Sequence, residues 1–207
     1  MRKIIYVIGT ILVLFGCDTK QDWYDGGISS PYHDCNILEY MRSDEYNYKL
    51  TVEMIERAGL IDLFEGKVDT LPQITFLAPM SNTVLVYLLD RDMKQVNEMK
   101  PEDCRTILLK HVLKGKLLKG DFAYRNPAYL IDNLKQDGGT KVSTVGGNQL
   151  IIYRDKSEWG GVPDVGPEIM YIYSKSADIM VPLASPDIQP LNGVVHALNY
   201  NYVLGNI

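Results

Sequence analysis

Three histidines, three cysteines and fourteen tyrosines hold most of the chemistry open to this 207-residue chain. His33, His111 and His196 stand far apart, and none has a second histidine three or four places away, the spacing a helical zinc pair needs. There is no Cys-x-x-Cys pair, so neither a zinc ribbon nor a thioredoxin-like redox site is expected. The sequence also lacks a G-x-S-x-G elbow, a P-loop and a G-x-G-x-x-G turn. Carboxylate neighbours such as Glu53 with Glu56, and Glu102 with Asp103, fall where a helix would face solvent. The sequence therefore predicts no enzyme, no metal and no cofactor. Aromatic contacts are the richer possibility. Tyr124, Tyr129, Tyr153, Trp159, Tyr171, Tyr173, Tyr200 and Tyr202 lie in or beside irregular chain. Tyrosine and tryptophan offer rigid amphipathic area that suits sugar faces and protein partners alike. Trp159, inside the glycine-rich stretch 158–163, is the best candidate for an exposed contact. Tyr171 and Tyr173 alternate as one face of a strand would, and stand as further candidate contacts.

Cys17 points to a different chemistry. Arg2 and Lys3 precede an apolar run from Ile4 to Phe15, broken only by Gly9 and Thr10, and Gly16 stands just before the thiol. A positive start, about a dozen apolar residues and a small residue at the cut mark a secretory signal peptide. The run is shorter than the ~20 residues of a permanent membrane helix. Leu14-Phe15-Gly16-Cys17 resembles a bacterial lipobox, which implies that Cys17 is acylated and becomes the mature N-terminus. Residues 1–16 are thus read as a lipoprotein signal peptide. Residues 17–33, polar and carrying Gly-Gly and Ser-Ser-Pro, are read as a flexible lipidated tether that holds the protein to a membrane. The expected location is the bacterial cell envelope, lipid-anchored at the outer membrane. A formal charge of −5 with no basic run argues against nucleic acid as a partner. Export would let Cys35 and Cys104 form a disulfide, but two cysteines alone leave their pairing open.

Residues 34–207 are read as one domain. Leu50, Met54, Ile55 and Ala58 recur at three and four, the stripe of an amphipathic helix ending at Gly59. Residues 73–78 (QITFLA) have the composition of a buried strand, stopped by Pro79, which has no N–H to continue a ladder. Ser81 is placed to cap the next helix. Pro101-Glu102-Asp103 opens a helix whose apolar face carries Cys104, Ile107, Leu108, His111 and Val112, running to about Gly115. Beyond Gly120 the segments 141–145, 149–154, 168–175, 177–182, 193–199 and 202–204 read as short strands separated by glycine and proline. Asn192-Gly193 supplies a turn, since both residues tolerate positive φ. Helices first and strands later make an α+β arrangement, in which the strand around Phe76 needs a distant partner.

Three segments carry a resemblance. ITFLAPMSNTV (residues 74–84) resembles the first signature of the fasciclin family. ILLKHVLKGKL (residues 107–117) is similar to its central helix, and DIQPLNGVVHALNYNYVL (residues 187–204) to its second signature. The resemblance implies a β-wedge of short, mostly antiparallel strands with helices packed around it, built on the motif residues Pro79, Ser81, His111, Asn192, Gly193 and His196. It further implies that His111 reaches toward the Asn192 turn, tying helix to sheet. Lys110 stands where the family often has a tyrosine, which argues against receptor binding through that position. Residues 155–167 are longer than the family's usual connection. The implied function is an adhesion or binding domain of an envelope lipoprotein that contacts a protein or matrix partner. The alternative is a glycan-binding accessory lipoprotein of an outer-membrane uptake system. An enclosed aromatic cleft near Trp159 would favour the glycan, and a flat apolar patch the protein.

Overall fold

The computed structural model describes residues 30–130, 133 and 135–207. The signal peptide, Cys17 and the tether up to residue 29 lie outside the described residues, so acylation stays an expectation. Residues 31–207 form one unit, and it departs at once from the tether boundary. β1 (Tyr32–His33) pairs parallel with a later strand at Gln189 and Pro190. Pro31 accepts a hydrogen bond from Gln189 N (2.7 Å), and the His33 ring sits 4.6 Å from Tyr40. Residues 31–33 therefore belong to the domain, because unpaired backbone groups there find partners on a sheet edge.

The first helices follow from caps and stripes. α1 (Ile37–Ser43) opens with Asn36 and Glu39 each accepting the other's backbone N–H, and buries Ile37, Leu38 and Met41. α2 (Glu45–Arg57) is capped by Asp44 and ends at Gly59, whose φ of +64° suits the left-handed residue after a helix. Its buried face carries Met54 and Ile55 as the spacing predicts, together with Tyr48, Thr51 and Val52. A single turn, α3 (Ile61–Phe64), sets Phe64 edge-on against Phe76 at 4.8 Å.

β2 (Ile74–Ala78) is buried along its whole length. α4 (Ser81–Leu89) and α5 (Pro101–Leu109) follow, the latter with proline and two acids in its first turn. The helix expected to reach Gly115 stops at Leu109, and Val112–Lys114 is instead β3, antiparallel to β2. The spacing of Leu108, His111 and Val112 also fits a helix, but the two faces of a strand satisfy Val112 and Leu113, both fully buried. β4 (Thr140–Ser143), β5 (Gln149–Lys156), β6 (Glu168–Ser174), β7 (Ile179–Pro190) and β8 (Gly193–Leu198) complete the sheet. Tyr202–Leu204, expected as a strand, is irregular chain that buries Tyr202 and Leu204.

The strand order is β3-β2-β8-β7-β6-β5-β4, with β1 on β7. β2 lies parallel to β8, from Ile74 opposite Gly193 to Ala78 opposite Ala197; the other neighbours along that path are antiparallel. A bridge between Leu113 and Thr144, and a hydrogen bond from Val145 N to Val112 O (2.8 Å), bring the two outer strands together. The sheet is thus a nearly closed wedge, and the α+β expectation holds. β7 serves both halves, pairing β6 first and β8 later, with register shifts around Ser185 inside the β8 pairing. Such bulges bend a strand and increase its twist.

Candidate functional site

The motif residues hold the fold together. His111 is fully buried, with Nδ1 2.7 Å from Ile107 O and Nε2 2.9 Å from the Tyr202 hydroxyl. A carbonyl only accepts, so Nδ1 carries the proton and donates; Nε2 then accepts from the phenol. Burial lowers the imidazole pKa from 6.5 to about 4, helped by the nearby Lys110 charge. Its expected partner is corrected: His111 meets Tyr202, and not Asn192. Asn192 is engaged elsewhere: its Oδ1 accepts from Ile37 N (2.8 Å) and its Nδ2 donates to Phe64 O (2.9 Å). One side chain thus satisfies the first turn of α1 and the end of α3.

Gly193 is required for closeness and not for a positive φ, which neither it nor Asn192 adopts. A Cβ there would lie 1.9 Å from Ile74 O. His196 is also fully buried; its Nε2 donates to Leu117 O (3.0 Å) and its Nδ1 accepts from Asp187 N (3.1 Å). Burial lowers its pKa too. Pro79 ends β2, and its carbonyl accepts from Thr51 Oγ1 at 2.7 Å. Ser81 does not cap α4, where Met80 holds the cap position; its Oγ instead accepts from Leu50 N (3.1 Å) and links α4 to α2. Cys35 and Cys104 are both free thiols, and Cys104 is buried beside Met99.

Trp159 is 70% exposed. It exchanges backbone hydrogen bonds with Val162 across Gly160 and Gly161, both at positive φ. Two such residues in succession make the tight mirror-image hairpin turn that only glycine enters at no cost. Val162 and Val165 on the same loop are 53% and 59% exposed. Tyr171 and Tyr173 share one face of β6, opposite buried Met170, Ile172 and Ser174. Tyr171 stacks on buried Tyr153 at 5.5 Å, and the Tyr173 hydroxyl donates to Asp178 (3.3 Å). Both are half-buried parts of the sheet face, whereas Trp159 projects.

The sequence did not single out a polar cluster beside this loop. Tyr124 bridges to Arg154 as an extra parallel strand residue next to β5. Its hydroxyl donates to Glu168, which also receives Lys119 (3.3 Å). The Tyr124 bond, with Lys119 and Arg154 nearby, holds the Glu168 carboxyl below the usual carboxylate range. The Arg154 guanidinium lies 4.1 Å from the Tyr124 ring centroid. Beside it is a cavity of about 190 Å³ lined by Tyr124, Arg125, Pro127, Asp155, Lys156 and Asp164. A second, about 600 Å³, lies between α2 and α4 against Tyr46, Leu50, Met80, Leu85 and Tyr200. Among the described residues no group of three histidine, cysteine, aspartate or glutamate side chains could hold a metal, and no helix is long and apolar enough to cross a membrane.

Comparison with known proteins agrees with the fold. The family model described as Fasciclin domain matches residues 46–202. No curated protein matches the chain. Among solved structures, the chain is similar to a FAS1 domain pair from the insect cell adhesion molecule Fasciclin I. The identity is 19% and the TM-score 0.50, over 78% of this chain and 46% of the other. The chain therefore spans under half the length of that domain pair.

Proposed function

The chain belongs to the fasciclin domain family, whose domains are adhesion and binding modules, and from that premise we propose that it is a lipid-anchored bacterial envelope protein that grips a protein or matrix partner through the Trp159 loop. The observation that carries the reading is the loop itself. A turn fixed by Gly160-Gly161 holds an indole and, close by, two valines out in solvent. Exposed apolar side chains grouped on an ordered loop mark contact surfaces, and tryptophan is the residue most enriched among those that dominate binding. With Trp159 70% exposed and Val162 and Val165 more than half exposed, the loop offers a protruding apolar patch. That favours a protein surface over a sugar at this point.

A photo-crosslinking side chain placed at Trp159 is expected to capture a discrete envelope protein in living cells, and one placed at Lys67 is not. Equal capture at both positions, or capture at neither, sinks the proposed contact. The anchor is tested separately with radiolabelled palmitate, which is expected to enter the wild type and to be absent from Cys17→Ser; equal labelling of both rejects it.

A further inference from the structure

The cavity beside Tyr124 has the makings of a small-ligand site. Its backbone is fixed before any ligand arrives. Arg125 N donates to Arg154 O (2.8 Å), Arg154 N to Ala123 O (3.1 Å) and Gly139 N to Tyr124 O (2.9 Å). Gly138 packs so tightly beneath that a Cβ on it would sit 2.2 Å from Asn126 N. The side chains are fixed as well. The Tyr124 hydroxyl is held by Glu168, its ring lies against Arg154 with the Lys156 ammonium 5.6 Å from its centroid, yet 41% of the residue stays exposed. Arg125 forks onto Asp155 at 2.9 and 3.3 Å and donates to Tyr129 O at 2.9 Å. Ordering costs that binding would otherwise incur are already met.

The lining chooses the ligand. Four of its six residues are charged, two of each sign, so the site has no net preference for a polyanion. Lys156 and Asp164 are exposed and have no ion-pair partner among the described residues, leaving a donor and an acceptor open. A peptide anchor wants a deep apolar pocket, and here Tyr124 and Pro127 alone have apolar bodies. The volume, about 190 Å³, is below the roughly 300–1,000 Å³ of sites for drug-sized molecules. A hydroxylated ring fits these conditions: it carries donors and acceptors together on its edge and a C–H face that can lie on a tyrosine.

We propose that this cavity is a shallow subsite for one neutral ring of a glycan, with Tyr124 as the plate and Lys156 and Asp164 as the hydroxyl-reading groups. The site is separate from the Trp159 contact and survives or fails apart from it. The test is electrophoresis of the full chain in detergent through gels containing starch, xylan, mannan or mixed-linkage β-glucan, with heparin and polygalacturonate as anionic comparators. At least one neutral polymer is expected to retard the wild type. Tyr124→Ala and the double variant Lys156→Gln with Asp164→Asn are expected to weaken that retardation by about tenfold, the loss of one good contact. Tyr124→Phe and Trp159→Ala keep it. The double variant decides the matter: its two side chains make no ion pair among the described residues, Lys156 otherwise lying 5.6 Å from the Tyr124 ring centroid, and its melting temperature should match the wild type. Retardation by the polyanions alone, by no polymer, or undiminished in the double variant overturns the subsite. So does loss confined to Trp159→Ala.

Discussion

His111 shows how much of a residue's role can be read from the chain. Its place on an apolar stripe beside Ile107 and Leu108 already required burial, and burial required partners for both ring nitrogens. The partner's identity was not readable, because Tyr202 lies 91 positions on and local periodicity says nothing about what crosses the core. Asn192 was legible as a turn residue, while its grip on two helix ends was not. The buried neutral histidine has a consequence for acid stability. In the unfolded chain the imidazole protonates near pH 6.5; in the folded chain it resists until about 4. Between those values the unfolded state binds more protons, so stability against unfolding falls as pH falls through the window. The shift corresponds to roughly 3 kcal/mol for this one group, and His196 adds to it in the same direction. Urea midpoints measured from pH 7 to 4 are expected to drop across that range. The drop should be shallower in His111→Gln, which cannot titrate. A wild-type midpoint that stays level from pH 6.5 to 4 shows that His111 is not held neutral by burial.

At the scale of elements, legibility tracked how locally each one is specified. α2 announces itself through its stripe and the glycine after it. β5 and β6 are runs of β-branched and aromatic residues joined by turns, and their bounds differ from the expected segments by a residue or two. Besides Tyr202–Leu204, two elements were misread for physical reasons. Val112–Lys114 continues the helix period of α5, and only its pairing with β2 makes it a strand. β7 was read as stopping at Pro182, because Ser185-Pro186-Asp187 has the composition of a breaker. In the fold those residues form the irregular part of a continuous strand, with Asp187 at a φ of +62°. The Asp187 carboxylate accepts from Lys119 N (2.6 Å) and its own N–H bonds His196. The break in the pattern is thus an irregularity inside the β7–β8 pairing, just past the point where β7 passes from β6 to β8. The Tyr124 cluster was missed for a similar reason, since its residues come from five separate stretches of chain.

Considered whole, the molecule closes on a pairing between distant parts of the chain. β2 is fully buried and lies parallel to β8, whose six residues are all buried too. Both buried histidines, Asn192 and the bond from Thr51 to Pro79 cluster on or beside this pair. The strands β4, β5 and β6, by contrast, form antiparallel neighbours close in sequence, with β4 half-exposed. Non-local pairs must meet the entropy of closing a long loop before any contact repays it, so the β2–β8 ladder exists only when the entire domain does. Native-state hydrogen exchange is therefore expected to separate two levels of protection. Amides of β2 and β8 should open only with global unfolding, and their exchange free energy should shift one-for-one with that measured in urea. Amides of β4 and of the 157–166 loop should open at lower free energy and ignore mild denaturant, as locally opening segments do. If β2 and β8 exchange as easily as β4, the parallel pair is not the keystone of the fold, and the rigid platform that both binding proposals require is lost with it.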